Sequence, residues 1–337
     1  MQDIAVARIA HVVPFIDVLQ QVGSPVYREL ERWSLPTLMA EQPNRYVPGV
    51  PVMSCLRSIA RREGIDDLGF QAFKRWSLKN LDADVLAQIR RWPTLHARLT
   101  HFARLCKIEN PDLCLTMWPE GVNTRIVLDL DVQPFDGMQY SDWLQIDALL
   151  SIVRDVVGPD FQPREITMRA RYTPSDEARR AFPNTRLITA QRNTSILVPA
   201  NLLSRACRTI ISAPTTANTQ WATRITHVCD ANFVARLKLA LPSYLGDGYP
   251  AIEKAAMIAG ISIRSLQRRL SQLGTSYSEL IQQIRFDVAV ELLSDPAEKI
   301  IDVGLSLGYD DASHFTRAFR RISGTCPREY RNRHILN

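Results

Sequence analysis

The feature that most constrains the fold is a repeat near the carboxyl end of the chain, between Ala255 and Leu336. Gly260 and Gly308 stand 48 residues apart, and two apolar-x-Arg-x-apolar runs follow them at an offset of 49 residues. Repeats this long indicate a duplicated supersecondary unit. The chain is therefore expected to contain the same small structure twice.

Each copy has the sequence pattern of a helix-turn-helix. A short helix ends at the glycine, which adopts the positive φ of a tight turn without steric cost. Ser262 in the first copy and Asp311 in the second then supply an N-cap for the next helix. Apolar residues recur at four-residue spacing on one side of that helix, so the opposite side is expected to face outward.

The outward sides of both second helices carry basic and polar side chains. They are Arg264, Gln267 and Arg268 in the first copy and Ser313, Thr316, Arg317, Arg320 and Arg321 in the second. Arginine and glutamine are suited to reading guanine and adenine edges in the major groove, because they form paired hydrogen bonds. One such helix alone would more simply be a solvated basic face. Two copies in matching positions favour DNA binding.

A single helix is predicted between the copies, from Ser276 to Ser294, because apolar residues recur there at helical spacing. At ~1.5 Å per residue it spans roughly 28 Å. Major grooves on one face of DNA recur every ~34 Å. A rigid helix of this length can hold two reading helices in consecutive grooves.

This segment resembles the DNA-binding region of the AraC/XylS family of bacterial transcription regulators. The matching residues are Arg285, Ala289, Leu292, Leu293, Gly308-Tyr309, Phe315–Arg321, Gly324 and Pro327–Arg331. The resemblance implies base-edge contacts by Arg264, Gln267, Arg268, Ser313 and Arg317, and phosphate contacts by Thr316, Arg320 and Arg321. Gly304 stands where the family usually has alanine, and Leu270 where it often has phenylalanine. Both departures are expected to loosen packing and to leave the reading face intact.

Upstream, strands and helices mix without regular βαβ alternation, which predicts an α+β domain with an antiparallel sheet. Strands are predicted at Leu113–Trp118, Thr124–Leu130, Glu165–Arg169 and Thr194–Val198. Helices are predicted at Val52–Arg62, Asp82–Lys107 with a break at Pro93, Tyr140–Val157, Ser175–Ala181 and Asn201–Arg208, while Val12–Ile16 fits a strand or a helix start. The order resembles the large N-terminal effector domain of the AraC-family branch related to ornithine-utilisation and virulence regulators. That resemblance implies small-molecule sensing or oligomerisation.

The predicted fold is thus an α+β effector domain followed by an all-α DNA-binding domain with two helix-turn-helix units joined by a central helix. Residues 212–219 are small, polar and without periodicity, as is typical of a linker. The predicted boundaries are 1–211 for the effector-sensing or dimerisation domain, 212–224 for the linker and 225–337 for the DNA-binding domain.

Composition excludes several classes of protein and site. The net charge of +6 permits nucleic acid as a partner without requiring it. The six cysteines form no Cys-x-x-Cys pair, so neither a disulfide framework nor a zinc site is expected. His96, His101 and Cys106 follow one another at five-residue spacing, which places them on different sides of a helix, so they are not expected to converge on a metal ion as ligands at i and i+4 do. No apolar run is long enough to span a membrane and no secretory signal is visible, so a cytoplasmic protein is expected.

Enzyme chemistry is not expected either. Gly304–Gly308 fits the nucleophile-elbow pattern of hydrolases, but that chemistry needs a strand before the serine, and Ser306 falls within a predicted helix. Nucleotide-binding and metalloprotease motifs are missing from the sequence. No catalytic residue and no cofactor are therefore predicted.

The resulting hypothesis is an effector-responsive transcription regulator, of activator type by the resemblance, that binds double-stranded promoter DNA. Its other expected partners are RNA polymerase, a small-molecule effector and a second copy of the chain. The alternative is a constitutive or protein-partner-controlled regulator whose N-terminal domain only dimerises. An apolar pocket with buried arginines would favour sensing, with Arg125, Arg169 and Arg171 as candidates unless they face solvent. A flat apolar patch along Tyr140–Val157 would favour dimerisation.

Overall fold

The computed structural model describes residues 4–207 and 232–334. The predicted linker, 212–224, and the predicted start of the second domain at residue 225 lie outside these ranges. Residues 4–207 form a mixed α and β region, and residues 232–334 form a helical one. The predicted fold class is confirmed.

The N-terminal region combines two sheets with helices on their faces. Its strands are β1 (Val6–Arg8), β2 (Tyr46–Pro48), β3 (Leu113–Glu120), β4 (Asn123–Leu130), β5 (Glu165–Thr167), β6 (Arg186–Ile188) and β7 (Ser195–Pro199). Its helices are α1 (Val13–Gln21), α2 (Val26–Arg32), α3 (Gly49–Arg62), α4 (Leu68–Phe73), α5 (Ala83–Arg90), α6 (Leu95–Glu109), α7 (Met138–Val157) and α8 (Asp176–Ala181). Most of the predicted elements are therefore present, within a few residues of their predicted bounds.

The larger sheet differs from the prediction in one pairing. Its strand order is β3-β4-β7-β5-β6, and each neighbouring pair is antiparallel except β5 and β6, which are parallel. Parallel neighbours need a crossover connection. Helix α8 lies in that connection, and its first turn is capped by Ser175 Oγ, which accepts from the amide of Ala178. The prediction of a purely antiparallel sheet is wrong at this edge.

The structure decides one alternative that the sequence left open and corrects one helix prediction. The run Val12–Ile16 begins helix α1, with Pro14 in its first turn, where the missing amide is not required. The predicted helix Asn201–Arg208 is a single 3-10 turn at Ala200–Leu202, and Arg208 lies outside the described residues.

Helix α7 forms the centre of the N-terminal core. Trp143 is fully buried in its second turn, with its ring 5.0 Å from Phe70, 5.3 Å from Phe73 and 6.3 Å from Phe182 between centroids. The helix is covered by the sheet and by neighbouring helices along most of its length. Tyr140–Val157 is therefore core, and the surface patch on which the dimerisation alternative relied is not formed there.

The C-terminal region consists of short helices around one long helix. They are α9 (Phe233–Ala240), α10 (Ile252–Ile258), α11 (Ile263–Gln272), α12 (Tyr277–Leu293), α13 (Ile300–Ser306), α14 (Ala312–Ser323) and α15 (Pro327–His334), with a 3-10 segment at Leu241–Asp247. Two helix-turn-helix units, α10–α11 and α13–α14, flank the long helix α12. This arrangement is the one predicted from the repeat.

The two regions share a hydrophobic core. Ile4, Val6 and Tyr46 from the first region pack with residues of α9 and the following segment, such as Phe233 and Leu237. Polar contacts surround this core: Arg45 Nη1 lies 2.7 Å from Glu291 Oε2, and Thr37 Oγ1 donates to Asp247 Oδ1 at 2.6 Å. The N-terminal region therefore docks on the side of the C-terminal region formed by α9, the Leu241–Asp247 segment and α12.

Candidate nucleic-acid interface

The first unit orients its second helix, α11, by a glycine turn and a serine cap. Gly260 has a φ of +62° between α10 and α11, and Ser262 Oγ accepts from the amide of Ser265 at 3.2 Å. Leu266 and Leu270 are buried beneath the helix. Arg264, Gln267 and Arg268 are exposed on its opposite side.

The second unit repeats this construction with an aspartate cap. Gly308 has a φ of +72°, and Asp311 Oδ1 accepts from the amides of His314 and Ser313 at 2.8 and 2.7 Å. These hydrogen bonds, with the nearby His314 and Arg317, hold the pKa of Asp311 below its ordinary value. Phe315 and Phe319 are buried beneath α14.

The outward side of α14 carries the predicted contact residues with one complication. Ser313, Arg317, Arg320 and Arg321 are exposed. Thr316 is only partly exposed, and its hydroxyl donates to the carbonyl of Ala312 at 2.7 Å. The Thr316 hydroxyl would have to break this hydrogen bond before it could donate to a phosphate.

The exposed arginines keep their charge available. Within residues 4–207 and 232–334, none of Arg264, Arg268, Arg317, Arg320 and Arg321 forms an ion pair with a carboxylate. Arg269, the neighbour of Arg268, differs: its guanidinium lies 3.7 Å from the ring centroid of Phe233 on α9. The helix thus separates adjacent arginines into one that faces outward and one that packs inward.

Helix α12 joins the units and contacts both. It begins with a capping box, in which Ser276 and Glu279 bond each other's backbone amides. Near its start, the Tyr277 hydroxyl donates to the carbonyl of Pro250, ahead of α10, at 2.5 Å. Farther along, the Phe286 ring lies 5.0 Å from that of Phe319 on α14. The long helix therefore fixes the position of each unit.

Arg285 of helix α12 makes contacts whose role the sequence did not reveal. Its side chain is 8% exposed, and its Nη2 donates to the carbonyl of Gly308 at 2.8 Å. The guanidinium also lies 4.6 Å from the ring of Tyr249 and 4.3 Å from that of Tyr309. Tyr249 lies in the segment that leads into the first unit and Tyr309 belongs to the second, so one side chain joins that segment to the second unit.

The turn of the second unit touches the backbone before the first unit directly. A Cβ added to Gly308 would lie 3.1 Å from the carbonyl carbon of Gly248 and 3.2 Å from the nitrogen of Tyr249. Gly308 is therefore required for its positive φ and for this close approach.

The expectation that Gly304 loosens packing is wrong. A Cβ at this position would lie 3.2 Å from the Cβ and Cδ1 atoms of Phe315. The phenylalanine ring already occupies the space an alanine methyl would need. Leu270, the other departure from the family pattern, is 1% exposed and lies in the core shared by both units.

The arginines proposed for an effector pocket have structural partners on the open face of the sheet. Arg125 lies 2.6 Å from Glu120 and 2.9 Å from Glu165, and Arg169 donates to the carbonyls of Leu130 and Val132. Arg171 is exposed. Arg125 and Arg169 line a broad polar depression on the sheet, and none of the three arginines lines the apolar cavity.

The residues considered for other chemistry are accounted for by local contacts. The His101 ring stacks on Trp92 at 3.7 Å, and buried Cys106 contacts the carbonyl of Ala103. Ser306 lies in α13 and donates to the carbonyl of Val303 at 2.9 Å. In the described part of the chain, no group of three or more His, Cys, Asp or Glu residues is placed to hold a metal ion, and no helix is long and apolar enough to cross a membrane.

Comparison with known proteins agrees with this geometry. A family described as "Helix-turn-helix domain" matches residues 255–333. The ornithine utilization regulator of Pseudomonas aeruginosa is 41% identical over 98 residues, which are 29% of this chain and 28% of that protein. The transcriptional regulator VirS of Mycobacterium tuberculosis is 22% identical over 321 residues, 94% of each chain.

Two solved structures are also similar to the chain, with sequence identities below 30% and TM-scores below 0.5. The transcriptional regulator CdpR of Pseudomonas aeruginosa aligns over 91% of this chain and 97% of its own, with 22% identity and a TM-score of 0.41. A DNA-binding transcriptional dual regulator of Escherichia coli aligns over 32% of this chain and 96% of its own, with 26% identity and a TM-score of 0.30.

Proposed function

We propose that the chain is a DNA-binding transcription regulator with an AraC-type helix-turn-helix domain, and that it reads two consecutive major-groove segments of promoter DNA under effector control. Helices α11 and α14 are the reading helices in this proposal. Arg264, Gln267, Arg268, Ser313 and Arg317 contact base edges, while Thr316, Arg320 and Arg321 contact phosphates.

The observation that carries the proposal is that two capped helices, each joined to one long helix, present outward sides whose arginines form no ion pair within the described residues. Helix α12 has 17 residues, so it is about 26 Å long, which is comparable with the ~34 Å repeat of the major groove. The side of each reading helix that faces outward is fixed by a buried pair on the opposite side. This pair is Leu266 and Leu270 in α11, and Phe315 and Phe319 in α14. Arginine and glutamine in those places match the acceptor and donor patterns of base edges.

Effector control is favoured over a dimerisation-only N-terminal domain by two features. Helix α7 is buried, so it offers no apolar surface to a second copy. An apolar cavity beside a buried arginine, Arg8, lies in the same region. Contact with RNA polymerase, assembly as a homodimer, and the domain boundaries 1–211, 212–224 and 225–337 belong to the proposal as well.

The test is selection of bound sequences from a random pool of double-stranded DNA, with the full chain at one near-physiological salt concentration. We expect two short enriched blocks about one helical turn apart, ~10 base pairs. The double variant Arg264→Ala/Arg268→Ala should lose one block and Ser313→Ala/Arg317→Ala the other. Enrichment of a single block that neither double variant changes would contradict the proposal.

A further inference from the structure

The N-terminal region encloses a cavity of about 70 Å³. It lies between β1, helices α3, α6 and α7, and the β3–β4 hairpin. Its walls are mainly apolar, from residues that include Met53, Phe102, Leu128 and Leu144. This is several times the ~10–15 Å³ that one water needs and about half the ~150 Å³ of an engineered cavity that binds benzene, so the site suits a compact occupant and has to widen to admit a ring.

The charged group at the cavity wall is already neutralised. Glu109 accepts from Arg8 Nη1 at 2.6 Å, from His11 at 2.8 Å and from the amide of Asp82 at 2.8 Å. Burial alone would raise the pKa of the Glu109 carboxyl. The hydrogen bond from His11 and the charge of Arg8 outweigh burial and hold that pKa below its ordinary value. His11 Nδ1 accepts from Trp76 Nε1 at 3.1 Å, so its Nε2 carries the proton given to Glu109. The wall therefore presents no uncompensated charge, which favours a neutral occupant.

A second polar group on the wall lacks a partner. Gln145 lines the cavity and is 5% exposed, and its Oε1 accepts no hydrogen bond from any residue in the described ranges. Buried polar atoms are almost always hydrogen-bonded, since leaving one unpaired is unfavourable. An occupant that donates a hydrogen bond would satisfy this carbonyl oxygen.

Two wall segments face the cavity on one side and the DNA-binding region on the other. Side chains of an extended segment alternate between its faces. Ala5 and Ala7 line the cavity, while Ile4 and Val6 join the core around α9. Because the side chains of Ala5 and Ala7 are small, the backbone of this segment forms much of the cavity wall.

The second wall segment runs from Asn110 to Leu113, both of which line the cavity. Between them, Asp112 Oδ1 lies 2.7 Å from Arg236 Nη2 on α9. Arg236 Nη1 also donates to the carbonyl of Ile4 at 2.9 Å. A single arginine of the DNA-binding region thus holds both segments of the wall.

We propose that this cavity is the effector site, that it takes a compact, neutral, mainly apolar molecule that donates one hydrogen bond, such as a phenol, and that Arg236 transmits its occupancy to the DNA-binding region. The hydroxyl donates to Gln145, and the ring displaces β1 and the Asn110–Leu113 segment. This inference rests on the proposed function for its effect on DNA, while ligand binding is measured without DNA.

The first experiment measures binding to the full chain by calorimetry and thermal unfolding. The probes are phenol, toluene as the ring without a donor, and benzoate as the charged ring. Phenol should bind saturably at one site per chain and raise Tm, with toluene and benzoate at least fivefold weaker. The variant Gln145→Leu should bind phenol and toluene with equal affinity. Failure of phenol to saturate would overturn the site. If the wild type and Gln145→Leu showed the same ratio of phenol affinity to toluene affinity, the proposed hydrogen bond to Gln145 would be overturned.

The second experiment measures the affinity for selected DNA with and without saturating phenol. Phenol should change the wild-type Kd at least threefold. Arg236→Met should bind phenol normally and lose this change, while Arg45→Met, which removes an interdomain ion pair away from the cavity wall, should keep it. If phenol bound but left the Kd unchanged, or if both variants behaved alike, the coupling would be wrong. If the wild-type chain showed no sequence-specific DNA binding in the absence of phenol, the result would instead count against the proposed function.

Discussion

The two helix-turn-helix units present similar outward sides on different cores. In the first unit, Ala256 and Leu266 occupy the positions that Gly304 and Phe315 occupy in the second. The second unit has an aromatic cluster, in which Phe319 lies 5.8 Å from Phe315 and 5.3 Å from Tyr330 between ring centroids. In the second unit, the loss of a methyl group at Gly304 on the first helix is matched by the larger Phe315 on the second helix. The combined side-chain volume of the two positions is therefore similar in both units, and the geometry is kept.

The units also differ in what supports them. The first contacts the N-terminal region, where Lys254 Nζ donates to the carbonyl of Ser34 at 3.1 Å. The second is closed by α15, whose Arg331 donates to the carbonyls of Leu293 and Glu298 at 3.1 and 2.7 Å. A change in the N-terminal region therefore reaches the first unit directly and the second through helix α12. The following predictions test this comparison.

The largest effect is expected for Arg285→Met, because Arg285 joins the segment that leads into the first unit to the second unit. The variant loses a charged hydrogen bond to Gly308 and two cation–π contacts, so the free energy of unfolding should fall by about 3 kcal/mol. Urea unfolding measures this change. Arg328→Met, at an exposed position on α15, is the control and should be nearly neutral. Equal costs for both variants would show that the units do not depend on Arg285.

Separate reading by the two units predicts distinct effects on specificity. Arg268→Ala and Arg317→Ala should each weaken DNA binding by ~1–3 kcal/mol and relax specificity at base pairs in different blocks. Arg320→Ala should weaken binding to all sequences about equally, because a phosphate contact carries no sequence information. Competition binding on a panel of single base-pair substitutions measures both. A uniform loss for all three variants would refute the division into base and phosphate contacts.

The exchange of volume between the units predicts a compensating pair. Gly304→Ala should destabilise the chain by about 1 kcal/mol, because crowding against Phe315 outweighs the gain in helix propensity. Adding Phe315→Leu recreates the first unit's pair, so the double variant should cost less than the two single costs combined. Thermal unfolding of the four proteins completes the cycle. Strict additivity would mean that these two positions do not share the space.

The smallest difference is expected in response to acid, since helix α14 begins at a carboxylate and helix α11 at a serine. The pKa of Asp311 is lowered in the folded chain, so its contribution is present above the unfolded value of ~3.9 and is lost as pH falls through the folded value. Amide signals of Ser313 and His314 should shift on acidification, while that of Ser265 should not. Asp311→Asn, which keeps a cap without titrating, should abolish the shift. Parallel shifts in both units would indicate general acid unfolding.

Sequence predicted the C-terminal region well because its helices are amphipathic and capped by local signals such as Ser262 and Asp311. It missed features that depend on distant residues. Strands β1, β2 and β6 have three residues each, too few for a period to show, whereas the equally short β5 was predicted within the longer run Glu165–Arg169. The parallel pairing of β5 and β6 and the complete burial of Trp143 depend on partners elsewhere in the chain. The packing of Phe315 against Gly304 required coordinates, because a family pattern alone suggested a void.

The backbone contact between Gly308 and Gly248 has a consequence for the energetics of target choice. The second unit contacts the segment that leads into the first through main-chain atoms and a buried arginine, so the two units have little freedom to adjust their separation. Any mismatch between their spacing and the pitch of a site must then be absorbed by the duplex. Smoothly bending a site of 20–30 base pairs costs on the order of 1–6 kcal/mol, and the cost depends on sequence. The base pairs between the two contacted blocks, though touched by no side chain, are therefore expected to be selected for their flexibility.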